Sequence, residues 1–399
     1  PRGGALPMPR PPELSARAVA LKPSLTLAIG AQAKALQRAG RDICSLSAGE
    51  PDFDTPDFIV EATRQALRDG ITRYGPAAGD PELRAAVAEK LSSGNGIATS
   101  PEQVLITNGG KQAIYNLFQV LLNPGDEVLL PAPYWLSYPE MAALAGARVK
   151  LIPTQAEEGF RLDLTAVEAA ISPRSRLLVL NSPGNPTGRV MERQELEGVA
   201  DLVRRHPQLL VMSDEIYEFL LAEGEQHHSF AAIAADLADR CFTVNGFAKG
   251  WAMTGWRLGY LAGHQDVIKA AAALQSQSTS NVCSFAQRGA LAAIQGPRDC
   301  VSAMAESYNR RRQLLTEGLQ AIGGITLVEP RGAFYAFPQL PESAGGSMDF
   351  CRRALEQAGL AVVPGLAFGN DRCIRLSCAV SRETIRDGLS RLTQLLGET

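Results

Sequence analysis

The stretch CFTVNGFAK at residues 241–249 decides the fold class, because a short apolar strand pattern runs into small residues and ends on a lone lysine. Similar apolar runs recur on both sides of it, separated by longer helical patterns, from about residue 55 to residue 290. Such alternation is typical of an α/β domain with a largely parallel sheet. We predict strands at residues 104–107, 127–130, 147–152, 177–180, 209–212, 241–244 and 258–262.

The same patterns divide the 399 residues into segments. Residues 1–22 begin with an Arg- and Pro-containing stretch and are predicted to be a flexible arm or the remnant of a transit peptide. Residues 55–295 are predicted to form a large α/β domain, and residues 23–54 and 296–399 a smaller α+β domain. The run Arg310–Arg312 is interpreted as the solvated face of a long helix.

Composition excludes several classes of function. Lys+Arg of 39 against Asp+Glu of 42 leave a net charge of −3, and no basic block indicates a nucleic-acid partner. No apolar run approaches the roughly 20 residues that a membrane span needs. The seven cysteines form no Cys-x-x-Cys pair, and the four histidines, with His227–His228 in a polar loop, lack metal-ligand spacing. We expect reduced thiols, no metal and a cytoplasmic location, with organelle import left open.

Lys249 is the strongest candidate for covalent chemistry. Arg257 follows it closely enough for both side chains to face one pocket. A desolvated amine beside a fixed guanidinium has a lowered pKa and can attack a carbonyl group. The alternative is a lysine on a surface loop.

Two further turns follow predicted strands at residues 177–180 and 209–212. One contains Asn-Pro-Thr-Gly at 185–188, and the other contains Ser-Asp-Glu-Ile-Tyr at 213–217. In open α/β sheets, ligands bind beyond the carboxyl ends of strands, so Asp214 and Tyr217 are placed to meet one ligand. The alternatives are an ordinary turn for the first motif and a helix cap for Asp214.

In this order, the motifs resemble the fold-type I pyridoxal-phosphate (PLP) enzymes, and more narrowly the class I aminotransferases of the aspartate aminotransferase family. The resemblance runs from about Pro23 to the C-terminus and is closest to the bacterial-type aspartate/prephenate subgroup. It implies a large domain with a mostly parallel seven-stranded sheet between helices. The motifs that carry it are SAGEPDFDTP at 47–56, YGP at 74–76, GGKQA at 109–113, PYW at 133–135, NPTG at 185–188, SDEIY at 213–217, the segment 249–257 and IRLS at 374–377.

The resemblance implies roles for the residues that would bind the cofactor ring. Lys249 would bind the cofactor covalently and then move the substrate proton as base and acid. Asp214 would face the pyridine nitrogen and keep it protonated. Tyr217 and Asn185 would hydrogen-bond the phenolic oxygen, and Trp135 would stack on the ring.

The cofactor phosphate would lie where a strand gives way to a helix. The backbone amides of Gly109, Gly110 and Lys111 would open that helix and bind the anion. Arg257 would add a bidentate contact, and Tyr74 would reach the phosphate from a second subunit. The resemblance therefore implies a homodimer with shared active sites.

Substrate recognition is implied by a second set of residues. Arg375 would pair with the α-carboxylate in fork geometry, with Gly49 beside it; the alternative is a salt bridge at the rim. Lys111 matches the subgroup's cation for a distal carboxylate, although it could instead only add charge near the phosphate. Thr26 matches members that also act on prephenate, while Trp135 and Asn185 would line the substrate position.

The predicted function is transamination of L-aspartate with 2-oxoglutarate, extending to prephenate, with amino acids and 2-oxo acids as partners. Three alternatives stay open on the same fold. The first is an aminotransferase for alanine or aromatic amino acids. The second is a PLP lyase, cyclopropane-forming synthase or decarboxylase. The third is a PLP-binding sensor domain of a regulator, which would need a DNA-binding module that the sequence does not indicate.

Overall fold

The computed structural model describes residues 12–21 and 23–397. Residues 1–11 and Lys22, most of the predicted arm, therefore lie outside the described residues. The helices are α1 Ala16–Ala20, α2 Leu25–Arg38, α3 Asp57–Arg68, α4 Pro81–Asn95, α5 Gly110–Leu121, α6 Ser137–Leu144, α7 Leu164–Ala170, α8 Arg193–Arg205, α9 Phe230–Ile233, α10 Gln265–Ser278, α11 Ser284–Gln295, α12 Asp299–Gln320, α13 Ser347–Gln357 and α14 Arg382–Gly397. Short 3₁₀ turns cover Pro101–Gln103, Ala235–Arg240, Glu342–Ala344 and Gly365–Phe368.

The strands agree with the predicted positions to within about two residues at most ends. They are β1 Cys44–Ser45, β2 Val104–Thr107, β3 Glu127–Ala132, β4 Arg148–Pro153, β5 Ser175–Asn181, β6 Leu210–Asp214, β7 Cys241–Gly246, β8 Gly259–Ala262, β9 Tyr335–Ala336, β10 Leu360–Ala361, β11 Val363–Pro364 and β12 Ile374–Ser377.

A seven-stranded sheet forms the centre of the large part of the chain. Its strand order is β2-β8-β7-β6-β5-β3-β4. The pairs β3–β4, β3–β5, β5–β6 and β6–β7 are parallel, and β8 is antiparallel to both β2 and β7. Helices cover the sheet, so its inner strands are buried on both faces and read as continuous apolar runs. The predicted α/β class with a mostly parallel sheet is confirmed.

The N-terminal segment packs against the C-terminal part of the chain. Strand β1 pairs in parallel with β10, and β11, β12 and β9 form a separate antiparallel sheet. This pairing places the loop after β1 next to β12, which carries Arg375. The predicted boundaries between the two domains stay a prediction.

Helix α12 corrects the interpretation of the arginine run. Arg310 is exposed, but Arg311 pairs with Asp52 at 2.7 Å, and Arg312 is buried and donates to the Ala333 carbonyl at 2.6 Å. The run is therefore only partly a solvated face, because a helix of 22 residues turns successive side chains in different directions.

The seven cysteines differ in how deeply they are buried. Five cysteines are buried, Cys300 is half-buried and Cys283 is exposed, and none forms a disulfide.

His227 and His228 do lie in a loop, but the loop folds inward at His227, whose side chain is only 9% exposed. Among the described residues, no helix has both the length and the apolar character needed to cross a membrane.

Candidate active site

Most predicted site residues follow strand ends at one edge of the large sheet. Strands β2, β5, β6 and β7 end at Thr107, Asn181, Asp214 and Gly246. Because β5, β6 and β7 are parallel neighbours, their carboxyl ends open on the same edge. The segments that leave these strands carry the candidate anion-binding turn, the Asn-Pro-Thr-Gly turn, the Asp214–Tyr217 turn and Lys249.

Asp214 is the last residue of β6 and is only 5% exposed. Tyr138 of α6 donates its hydroxyl to Asp214 Oδ2 at 2.7 Å, and the Ile216 amide donates to Oδ1 at 3.3 Å. Burial raises the pKa of Asp214 to about 6, and both hydrogen bonds oppose this rise. The carboxyl group is therefore mostly ionised at neutral pH, which suits a partner that carries a proton on nitrogen.

Lys249 lies in the turn after β7. Its Nζ donates to the Gly49 carbonyl at 2.6 Å and lies 5.8 Å from the ring centroid of Tyr217. Burial lowers the pKa of Lys249 to about 8; Glu50 opposes this, while Arg375 and Arg257 add to it. Roughly a tenth of the amine is therefore unprotonated near pH 7, so a nucleophile is available.

The turn between β2 and α5 forms a candidate anion site. Gly109, at φ +80°, precedes the first residue of α5, where backbone N–H groups lack partners within the helix. The Arg257 guanidinium lies against this turn and donates to the Asn108 carbonyl at 3.4 Å. A Cβ on Gly109 would lie 2.7 Å from Arg257 Nη2, and one on Gly259 would lie 2.5 Å from Gly110 N. Glycine at both positions therefore allows strand, helix and guanidinium to meet.

Lys111 and Trp135 stand beside this anion site. Lys111 Nζ lies 5.0 Å from the Trp135 ring centroid, and Trp135 packs edge-to-face on Tyr138 at 5.3 Å. Desolvation lowers the pKa of Lys111, and the nearby Arg257 lowers it further. One cation and one aromatic face are thus held within a few ångströms of each other.

Arg375 on β12 is only 3% exposed. It donates to Asn185 Oδ1 at 2.9 Å and to the Ser47 carbonyl at 3.4 Å, and it stacks at 4.4 Å on the ring of Tyr335. Its buried Nε has no hydrogen-bond partner among the described residues. A buried, partly unpaired guanidinium favours an anionic ligand, because a charge in such a place needs a partner.

Tyr217 links this guanidinium to the sheet edge. Its hydroxyl forms a hydrogen bond of 2.9 Å with the hydroxyl of Tyr335, and the guanidinium of Arg375 stacks on the ring of that tyrosine. Burial raises the pKa of Tyr217, and Tyr335 adds to the rise, so the phenol stays protonated. Gly49 is near both groups, since a Cβ there would lie 4.0 Å from Arg375 Nη2 and from Tyr335 Oη.

The contacts described above connect the predicted site residues other than Thr26 and Tyr74. Within the described part of the chain, the Thr26 hydroxyl bonds to Ser24 at 3.0 Å, and Tyr74 is 93% exposed. Sequence reasoning missed Tyr138 and Tyr335. Neither tyrosine has a local sign of its partner, because Tyr138 meets Asp214 across 76 residues and Tyr335 meets Tyr217 across 118.

Comparisons with known proteins show the family of the chain. The model of the family described as aminotransferase class I and II matches residues 41–392. The chain is 49% identical over 387 residues to an aspartate/prephenate aminotransferase of Thermus thermophilus, with 96% of this chain and 99% of that protein covered. It is 47% identical over 396 residues to a bifunctional aspartate aminotransferase and glutamate/aspartate-prephenate aminotransferase of Petunia hybrida, with coverages of 96% and 82%.

Solved structures give the same result. The aspartate aminotransferase from Thermus thermophilus with maleate superposes with a TM-score of 0.93 at 47% identity, covering 96% of this chain and 100% of that one. The aspartate aminotransferase from Rhizobium meliloti superposes with a TM-score of 0.93 at 38% identity, covering 96% and 99%. The family model, the relatives and the superposed structures together show that the chain belongs to the class I and II aminotransferase family.

Proposed function

We propose that the protein is a PLP-dependent aminotransferase that converts L-aspartate and 2-oxoglutarate to oxaloacetate and L-glutamate, and that also aminates prephenate to arogenate. The observation that carries the proposal is the meeting of three groups at one sheet edge: the Lys249 amine, the buried Asp214 carboxylate, and the α5 N-terminus with Arg257. The relatives named above support both substrates.

The chemistry of these groups fits PLP. The glycine turn before α5 and Arg257 offer amide and guanidinium donors to a phosphate, and Gly109 leaves space that a side chain would fill. Asp214 would pair with the ring nitrogen, while Tyr217 and Asn185 would bind the phenolic oxygen. Trp135 would cover one face of the ring.

When bound, PLP supplies an electron sink for negative charge on the substrate Cα. Lys249 would bind the cofactor, and its amine, roughly a tenth of which is unprotonated near pH 7, would take the Cα proton and return it as general base and acid. Asp214 would hold a proton on the ring nitrogen. The Gly49 carbonyl, which accepts from Lys249 Nζ, would hold the amine beside the substrate position.

Arg375 would bind the α-carboxylate of the substrate. Its buried Nη groups contact Asn185 and the Ser47 carbonyl, so the fork is fixed before a ligand arrives. Lys111 would bind the distal carboxylate of aspartate, glutamate or prephenate, since it lies over Trp135 beside the phosphate site. Thr26 is proposed to assist with prephenate, on the sequence resemblance alone.

We further propose a homodimer in which Tyr74 from a second copy completes the phosphate site. The exposure of its ring supports this, because a large aromatic side chain that is 93% exposed is suited to an interface. A cytoplasmic location is proposed as well, and seven free cysteines fit a reducing compartment.

Half-reactions with single substrates test the proposal. The PLP-loaded protein is mixed in turn with L-aspartate, L-glutamate, L-alanine and L-phenylalanine, and conversion of the cofactor to its amine form is followed by absorbance. We expect rapid conversion by the two acidic amino acids, and recovery of the aldehyde form by 2-oxoglutarate, oxaloacetate and prephenate. Conversion chiefly by alanine or phenylalanine would contradict the acidic specificity, and elimination products without recovery would indicate a lyase.

Lys111→Ala separates the two interpretations of that lysine. If Lys111 binds the distal carboxylate, kcat/KM for aspartate and glutamate falls by about 10-fold to 100-fold while the slow reaction with alanine changes little. Lys269→Ala, on the exposed face of α10, is the matched control. Equal losses for all amino acids, together with weaker PLP binding, would show that Lys111 only adds charge near the phosphate.

Tyr138→Phe tests the support of Asp214. The substitution removes a hydroxyl that donates to the carboxylate at 2.7 Å and that lowers its pKa. We expect the pKa of Asp214 to rise and kcat to fall by about tenfold, as for loss of a hydrogen bond to a charged group. The acid limb of the kcat/KM pH profile, measured with aspartate, should move to higher pH. An unchanged limb would remove Tyr138 from the site.

A further inference from the structure

A second group of buried ionisable side chains lies behind the Asp214–Tyr217 turn and has no part in the site described above. It consists of Lys90, Glu215, Glu218 and His227, defined here as the rear cluster. Glu215 is 0% exposed, and the other side chains are almost as deeply buried. Burying four ionisable groups is costly unless their charges balance.

Glu218 is held from three directions. It accepts from the ammonium of Lys90 on α4, from Asn245 Nδ2 at 2.8 Å and from Asn95 Nδ2 at 2.8 Å. Burial acts to raise its pKa, but Lys90 and His227 outweigh this and the pKa is lowered overall. Asn245 is on β7, so this carboxylate ties the turn after β6 to the strand that leads to Lys249.

Glu215 is held equally closely. It accepts from Ser213 Oγ at 2.9 Å, from Ser229 Oγ at 2.6 Å and from His227 Nε2 at 3.0 Å. Burial acts to lower the pKa of His227, but Glu215 and Glu218 outweigh this and raise it. The raised pKa favours the protonated form of His227, and in that form His227 and Lys90 together would balance the charges of the two carboxylates.

The rear cluster is connected to the active site in two ways: through the backbone of residues 214–218 and through the electrostatic effect of Glu215 on Asp214. Glu215 and Glu218 flank Ile216–Tyr217, and Glu215 follows Asp214 directly. The negative charge of Glu215 also acts to raise the pKa of Asp214. The Lys90 ammonium already sits against Glu218, where a bound cation would otherwise be needed, so the cluster is balanced by its own side chains.

We propose that Lys90, Glu215, Glu218 and His227 form a charge-balanced positioning network that fixes the Asp214–Tyr217 turn and keeps Asp214 ionised for the cofactor ring. The proposal rests on the proposed function. Within this network, the positive charge of His227 offsets the electrostatic effect of Glu215 on the ionisation of Asp214. The ion pair between Lys90 and Glu218 anchors the Asp214–Tyr217 turn. None of the four residues is assigned contact with substrate or cofactor.

The test measures the affinity of the cofactor-free protein for PLP between pH 5 and 8, in roughly half-unit steps, by tryptophan fluorescence. The titratable groups that face Asp214 are the neutral phenols of Tyr138 and Tyr217 together with Glu215 and Lys249, and those that face His227 are Glu215, Glu218, Lys90 and His228. The acid limb of the affinity reports ionisation of Asp214, and the ionisations of PLP itself are common to all variants.

Two variants are expected to move this limb in opposite directions. His227→Gln keeps a donor to Glu215 but removes the positive charge, so the limb should shift up by about half a pH unit or more. Glu215→Gln removes the negative charge, so the limb should shift down by a similar amount. Tyr138→Phe is the positive control, and Arg204→Met, which breaks the surface pair with Asp236, is the control without an expected shift. Coincident limbs, or shifts in the same direction, would overturn the proposal.

A charge-pair series covers the case in which Glu215→Gln fails to fold. Lys90→Met and Glu218→Gln should each weaken PLP binding by about tenfold at pH 7.5, and the double variant should recover most of the loss because no unpaired charge remains. Additive losses in the double variant would overturn the proposal. If the wild-type protein does not bind PLP at all, the proposed function fails instead, so the two failures are distinguishable.

Discussion

Lys249→Ala is expected to lower kcat for transamination of aspartate with 2-oxoglutarate by at least about 10⁴-fold, the upper range for loss of a general acid–base residue. The loss should be this large because one amine is proposed both to bind the cofactor and to move the Cα proton. No other lysine is placed to substitute among the described residues: Lys111 lies over Trp135 beside the anion site, and Lys90 is held by Glu218. The measurement is a coupled assay for oxaloacetate, with the visible absorbance of the purified protein as a second readout.

The control for Lys249→Ala is Lys269→Ala, which removes an exposed lysine from α10 and should leave both readouts unchanged. Circular dichroism and thermal melting check that the variant folds. A retained visible absorbance that survives dialysis would place the covalent link on another residue. Wild-type turnover would remove Lys249 from the reaction.

Arg375→Ala should lower kcat/KM by about 10²-fold to 10³-fold for every amino donor, acidic or not, because every donor carries an α-carboxylate. The guanidinium is buried, fixed by Asn185 and the Ser47 carbonyl, and stacked on Tyr335. Truncation therefore removes a preorganised fork as well as a charge. Aspartate, glutamate and alanine are compared in the same half-reaction assay.

Arg375→Lys is the matched variant, since it keeps the charge and loses the planar fork. It should recover only part of the loss, as expected for bidentate recognition of a carboxylate. A loss confined to aspartate and glutamate would show that Arg375 binds the side chain instead. Such a result would exchange the proposed roles of Arg375 and Lys111.

Strand ends were the part of the molecule that could be predicted best. Asp214 and Lys249 follow continuous apolar runs, and a parallel sheet brings such ends to one edge, so their proximity follows from local pattern and topology. Tyr335 and Tyr138 were missed because their partners are distant along the chain. Tyr138 meets Asp214 across 76 residues, and only the packing of α6 against the sheet creates that contact.

Burial was predicted poorly for two polar side chains whose hydrogen-bond partners include residues from other segments of the chain. His227 was placed in a polar loop and Arg312 on a solvated face, and both are buried. In each case a hydrogen-bond partner comes from a different segment: Glu215 for His227, and the Ala333 carbonyl for Arg312, which also donates to Asn309 on its own helix. A polar residue type predicts exposure only while no partner is known.

The antiparallel strand β8 determines where the connection that carries Lys249 and Arg257 begins and ends. The chain leaves β7 at Gly246 and re-enters the sheet at Gly259, so residues 247–258 begin and end on the same edge. A parallel strand in that position would need a crossover that starts at one edge and returns at the other. Lys249 follows the end of β7 by three residues and Arg257 precedes the start of β8 by two, so each side chain is anchored at this edge by its own strand. An insertion or deletion between them changes the length of the connection but not the distance along the chain from either residue to its strand.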